Sequence, residues 1–399
     1  MRISTANNYA ASIETLMDRQ VKLSDTQEQM TSGKRVNRAS DDPAAAARAE
    51  RAYAAEQRAD ASQRAVDASS NAMTLTESAL GDAGDLMQQV REALVSAGNA
   101  TYGDTERAGL ANQIADLRQQ LLSVANRTDG SGNYLFGGQS ASVAPFSDVP
   151  GGVQFQGAAG ATQSASADAL PLTLDGSAAW MNARTGNGVF TTSPVTSTGG
   201  AWIDAGKVTD PSAITGSTYS IQFSVSGGNT TYSVLKDGVA TAQTNVAFQP
   251  GQAVQIDGMS AAIAGQPANG DVFQLAPSTP SMSVFDALDK AIADLKTPNR
   301  SNTQIAQSNA ANLNNVDVVM NQLSSVRSQV GATMNRVDAV TSRISAQKLS
   351  SQTEQSNAVD LDMTQAISDF SNQQTGYDAA LKAYATVQRL SLFNYISTS

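Results

Sequence analysis

The side chains best suited to chemistry in this sequence are carboxylates, because the chain has neither Cys nor His. That absence removes disulfides, thiol nucleophiles, the commonest metal ligand and the commonest general base. Two acidic pairs stand out, Asp41-Asp42 and Asp360-Leu361-Asp362. Asp42 precedes Pro43 and is explained as a helix N-cap, and neither pair sits in a cluster of oxygen ligands at calcium spacing. The remaining acids of the middle third, Asp168, Asp175, Asp204, Asp210, Asp237, Asp257 and Asp271, are scattered without a catalytic motif. The Gly-rich stretch Asp129 to Gly138 lacks the Lys-Ser/Thr ending of a phosphate loop and reads as a hairpin. Asn99-Ala-Thr, Asn126-Arg-Thr and Asn229-Thr-Thr match a glycosylation sequon that is common by chance. The expectation is a protein with no catalytic, cofactor or metal residues, and not an enzyme.

The formal net charge of -10 over 399 residues disfavours a hold on phosphate backbones, so nucleic acid is not expected as a partner. The residues after Met1 and Arg2 are polar where a secretory signal needs an apolar run. No apolar run approaches the length of a membrane span, so membrane insertion is not expected either. Hydrophobic residues make up 41% of the chain but aromatics only 5%, a balance that suits long solvated helices and Thr/Ser-rich strands better than a thick enzyme core.

The elements that carry these residues divide into helix, strand and helix again. Tyr9, Leu16, Leu23 and Met30 recur every seven residues, with Ile13 in the alternate slot, as in a coiled-coil seam. That helix is expected to stop at Ser32-Gly33. Asp42-Pro43 starts a second, Ala-rich helix running to Ala97. A third follows the turn Gly98 to Gly103, with Leu110, Ile114, Leu117, Leu121 and Val124 on one face. Helical spacing is then lost to about Thr279. Within this span Tyr219, Ile221, Phe223 and Val225 alternate, Gly227-Gly228-Asn229 turns, and Tyr232 and Val234 resume, which predicts a β-hairpin. Residues 163–210 fit no pattern. Helical spacing returns at Val284 to Leu295, then from about Ser301 past Ser351 with Val316, Leu323, Val330, Val337 and Ile344 every seven residues. A last seam has Met363, Phe370, Tyr377 and Tyr384, with Ile367 and Leu381 alternating. The predicted fold is α+β: a long antiparallel helical rod made by both chain ends, with an all-β domain inserted in the middle. Its expected divisions are a terminal assembly domain (1–42 with 360–399), a rod core (43–140 with 282–359) and a β insert (141–281). Both termini are expected at one end of the rod and the β domain at the other.

Thr31-Ser-Gly-Lys-Arg-Val-Asn-Arg-Ala-Ser-Asp-Asp-Pro-Ala44 resembles the signature loop of the flagellin superfamily. Gln329 to Val337 and Leu390-Ser-Leu-Phe-Asn-Tyr-Ile396 are similarly characteristic. Asp129 to Gly138, the Leu390 to Ile396 ending, and Phe248 to Met259 followed by Ala264 to Phe273 resemble the family's hook-associated branch more than its filament flagellins. The resemblance implies a structural flagellar subunit that joins hook to filament, with filament flagellin as the alternative. It implies self-association in a ring, contact with the first hook-associated protein and with flagellin, unfolded export, and a chaperone on the C-terminal helix. The expected location is the hook–filament junction outside the cell, after a transient stay in the cytoplasm. The terminal seams bury too little apolar surface to offset the ordering of their own backbones, so they are expected to order when neighbouring subunits add buried area. The expected assembly residues are Tyr9, Ile13, Leu16, Leu23, Met30, Met363, Ile367, Phe370, Tyr377, Leu381, Tyr384, Leu392 and Phe393.

Overall fold

The computed structural model describes residues 5–140, 142–164 and 168–396. Its first helices are α1 (Thr5–Ser32), α2 (Pro43–Ala97) and α3 (Asp104–Ala125), and its last are α4 (Val284–Lys296), α5 (Asn302–Val359) and α6 (Met363–Ile396). Terminal helical regions thus flank a central all-β insertion. Gly33, at φ +69°, ends α1 in the left-handed region that an L side chain resists. Pro43 opens α2, where its missing N–H is no loss.

The chain forms two compact units, residues 1–64 with 341–399, and residues 65–340. In the first, α2 and α5 run antiparallel. Lys348 Nζ lies 2.7 Å from Asp60 Oδ1, and Gln352 Nε2 donates to Glu56 Oε1 at 2.6 Å, so α5 advances four residues as α2 retreats four. In the second, the same sense is kept by Arg327 with Glu77 and by Arg91 with Asp317 at 2.7 Å.

The second unit contains two hydrophobic cores. One is helical: α2 supplies Met73, Leu80, Met87 and Leu94, α3 supplies Ile114 and Leu121, α4 supplies Leu288, and α5 supplies Val316, Leu323 and Val330. An aromatic cluster closes it, with Trp180 and Phe285 stacked at 6.0 Å and Phe136 and Phe146 edge-on to Trp180. Phe146 lies on β1 (Phe146–Val149), which pairs with β2 (Gly152–Phe155). The Asp129 to Gly138 segment turns tightly, with Thr128 bridged to Tyr134, and sends Leu135 and Phe136 into the same core. Buried Arg118 on α3 donates to Asp148 on β1 at 2.6 Å and to Asp289 on α4 at 2.9 Å, so its charge is paired where water cannot solvate it.

The chain leaves this core through β3 (Ala183–Arg184), which pairs with β14 (Pro280–Met282) where the chain returns. Between them lie β4 (Phe190–Thr196), β5 (Trp202–Ile203), β6 (Lys207–Val208), β7 (Tyr219–Ser226), β8 (Asn229–Lys236), β9 (Val239–Ala240), β10 (Val246–Ala247), β11 (Ala253–Ile256), β12 (Met259–Ala264) and β13 (Val272–Pro277). One antiparallel sheet has the order β10-β8-β7-β13-β4, with β9 beside β8, and the other has β11-β12-β5, with β6 beside β12. Their inward side chains, among them Phe190, Ile203, Tyr219, Phe223, Ile256, Ile263 and Phe273, share the second core. Gly227-Gly228 makes the two-residue β7–β8 turn, closed by the pair Ser226–Asn229. The boundary expected near residue 141 therefore precedes a stretch, 146–183, whose apolar side chains pack on the helices, and the second core begins at Phe190.

Candidate assembly surface

Within the first unit, two breaks in the helices meet and form a joint. Between α1 and α2, Asp41 Oδ2 accepts the backbone N–H groups of Asn37 and Arg38 at 3.0 and 2.8 Å, and Asp42 Oδ1 accepts that of Ala45 at 2.9 Å. These N–H bonds hold both carboxyls below the ordinary aspartate range, helped at Asp42 by the Arg35 guanidinium. Asp42 and Pro43 are therefore the cap expected from sequence. Between α5 and α6, Asp362 Oδ1 accepts from the N–H groups of Thr364 and Gln365 at 2.9 and 3.1 Å, which caps α6. The acidic pair Asp360 and Asp362 thus does structural work.

Backbone pairing locks the two breaks together. Lys34 bridges Asp360 in antiparallel sense, Leu361 N donates to Gly33 O at 3.0 Å, and Arg35 N donates to Val359 O at 2.7 Å. The Arg35 guanidinium donates to Ala358 O at 2.8 Å and reaches back to Asp42 at 3.2 Å. One side chain therefore ties the end of α5 to the start of α2.

From the joint, α1 and α6 run along each other. On α6 the shielded positions include Ala366, Phe370, Gln373, Tyr377, Ala380 and Tyr384, spaced four, three, four, three and four, with Gly376 beside them, and on α1 they include Leu16, Leu23, Thr26 and Met30. Thr26 Oγ1 lies 2.9 Å from Gln373 Oε1 and 2.9 Å from Lys22 O. One hydroxyl hydrogen serves only one acceptor, so turning the Gln373 amide to offer its NH2 satisfies both contacts. A Cβ at Gly376 would come 2.7 Å from Arg19 Nη1, so the missing side chain makes room for that guanidinium.

The sequence grouped the residues of each terminal seam as one stripe, and the structure divides them between two faces. Leu16, Leu23, Met30, Phe370, Tyr377 and Tyr384 are half-buried in the pair, whereas Ile13, Met363, Ile367 and Leu381 are exposed. Met17 and Val21, which the heptad reading missed, continue the exposed face of Ile13 at a spacing of four. These outward apolar side chains are 37% to 62% exposed. The side chains of Tyr9, Leu392 and Phe393 lie outside the described residues.

The acids of the middle third are engaged as acceptors in turns and networks. Asp210 accepts from Ser212 N at 2.9 Å, Asp175 from Ser177 N at 2.9 Å, and Asp257 from Tyr219 Oη at 2.6 Å and Lys236 Nζ at 2.7 Å. Asp271, fully buried, accepts from Thr198 N and Oγ1, Gly199 N and Ala268 N. Among the described residues no group of three acids could hold a metal ion, and no helix is long and apolar enough to cross a membrane.

Comparison with known proteins matches both helical ends of the chain to one family. The bacterial flagellin N-terminal helical region matches residues 3–141, and the bacterial flagellin C-terminal helical region matches residues 313–396. Flagellar hook-associated protein 3 of Escherichia coli (strain K12) is 28% identical over 397 residues, 98% of this chain and 99% of that protein. The crystal structure of flagellar hook associated protein-3 from Legionella pneumophila is similar with a TM-score of 0.71 at 25% identity, covering 76% of this chain and 97% of that one. Flagellin of Bacillus subtilis (strain 168), at 31% identity, aligns over 113 residues, 28% of this chain and 37% of its own. Likeness to filament flagellin is thus partial, and likeness to hook-associated protein 3 runs end to end. The chain belongs to the bacterial flagellin family, as a structural flagellar protein like hook-associated protein 3.

Proposed function

We propose that the chain joins hook to filament as a ring of like subunits, and that the α1–α6 pair is its assembly domain. The observation that carries this reading is the pair itself: two chain ends shield one face of each other and leave apolar side chains on another. Such a surface gains from burial against neighbouring copies on either side, against the first hook-associated protein below and against flagellin above. Before assembly the same α6 face suits a helix-binding chaperone, which would keep it from non-specific association during unfolded export.

Filament flagellin is the second reading, and a seeding assay separates the two. Hooks carrying this protein should accept flagellin, while the purified chain alone should not lengthen on filament seeds. Growth of long filaments from this chain alone would overturn the junction reading.

A further inference from the structure

We propose that the joint made by residues 33–42 and 358–362 sets the register in which α1 and α6 pair. The inference rests on the reading of the α1–α6 surface as the assembly surface, because register decides which outward side chains lie beside each other. A seven-residue repeat is nearly degenerate: sliding one helix by seven residues in one direction brings Met363, Phe370 and Tyr377 into the seam in place of Phe370, Tyr377 and Tyr384. Apolar burial alone therefore separates the registers poorly.

Two features single out one register. The joint pins both helices at their shared end through backbone bonds, Lys34 with Asp360, Leu361 with Gly33, and Arg35 with Val359. Backbone pairing is indifferent to seam composition, and α6 begins only two residues beyond Asp360 and Leu361, which leaves little slack. Farther along, the heptad slot that holds Gln373 holds Ala366 one repeat earlier and Ala380 one repeat later. Thr26 meets a hydrogen-bonding partner in the observed register only, and a slip in either direction places a methyl group there. A polar residue in an apolar seam specifies register in this way at some expense of stability. The joint acts first, and the Thr26–Gln373 contact is its first readout along the seam.

The chain has no native Cys, so engineered pairs report register cleanly. Thr26→Cys is combined in turn with Ala366→Cys, Gln373→Cys or Ala380→Cys in the full chain, and disulfide formation is timed under mild oxidation. Replacing Thr26 removes its polar contact with Gln373 in all three pairs, so any remaining preference comes from the joint or from the space that Gly376 leaves for Arg19, and lengthening the joint separates these two. The 26–373 pair should close at least about tenfold faster than either neighbour, because a one-heptad offset exceeds disulfide reach. A zipper that opens and closes still closes in one register, so the ratio holds even for transiently formed helices. Unpaired ends would instead give rates that fall steadily from 366 through 373 to 380, and that pattern would overturn the proposal.

Seven Gly/Ser residues inserted between Leu361 and Asp362 should abolish the preference for 373. Its survival would assign register to the seam and overturn the role of the joint. The cross-link forms within one chain and needs no assembly. An intact ratio beside outward-face substitutions that leave assembly unharmed would sink the surface reading alone, and a lost ratio beside assembly-defective substitutions would sink the register reading alone.

Discussion

The seams of α1 and α5 have the same seven-residue spacing and different fates. On α5, Val316, Leu323, Val330, Val337 and Ile344 are all buried, while on α1 Leu16, Leu23 and Met30 are only half-shielded. Much of the α5 stripe in the second unit faces a core shared with α2, α3 and α4 and closed by four aromatic rings, whereas α1 and α6 mainly shield each other. A heptad repeat therefore states which residues can be covered, and the number of neighbours decides how deeply. On the proposed function, the difference separates a core completed within one chain from a surface that other subunits would cover.

The largest test of this contrast is truncation. Phe285→Ala should lower the stability of the helical core by about 3 to 5 kcal/mol, because it empties a fully buried ring site. Phe370→Ala, half-buried in the terminal pair, should lower monomer stability by about 1 kcal/mol or less. Urea unfolding measures both, and equal losses would mean that the terminal seam is as deep as the core.

The β core carries its own vulnerability at Asp271. Burial alone would raise its carboxyl, but N–H donors of Thr198, Ala268 and Gly199, with the Thr198 hydroxyl, hold it below its ordinary value. Asp271→Ala should destabilise the β domain by about 2 to 3 kcal/mol by stranding those donors. A depressed folded value means that the carboxylate's contribution is complete above the unfolded value, about 3.9, and is lost as pH falls through the folded one. Unfolding curves on the acid side of that value should show the wild-type β domain losing stability more steeply than Asp271→Asn.

The boundary between the two cores can be broken deliberately. Deleting residues 187–277 and bridging with Gly/Ser keeps the Thr185 N to Thr279 O bond of 2.9 Å at the neck, and should leave helical signal per remaining residue unchanged. Deleting 142–281 also removes Phe146 and Trp180 and should cost cooperativity in the helical core, read as a broader thermal transition. Smallest is a pair of helix-interior changes: a Cβ at Gly84 or Gly331 meets nothing within 4 Å, so either Gly→Ala should stabilise by about 0.5 to 1 kcal/mol.

Sequence showed most clearly what local chemistry controls. Gly33 as a terminator and Asp42-Pro43 as an initiator act through backbone conformation and one cap bond, so both were legible, as were the heptads and the β7–β8 turn. The depth of the terminal seams was not. Phe370 and Ile367 are both apolar and three residues apart, and only the partner helix decides which turns inward. Met17 and Val21 went unread because a four-residue stagger beside a seven-residue seam looks like surface noise until Ile13 is seen exposed with them. Trp180 was illegible for a different reason: it stands in a single π-helical turn, Ser177–Met181, and its burial depends on α4 and on distant loops.

If the outward face of the terminal pair is what neighbouring subunits cover, polar substitutions there should spare the monomer and stop assembly. Met17→Ser, Ile367→Ser and Leu381→Ser, made together, should leave the thermal midpoint of the full-length monomer where it is, since none of these side chains is buried. Cells carrying the triple variant should still build hooks, and flagellin should appear as monomer in the medium. Normal filaments on such cells would contradict the account.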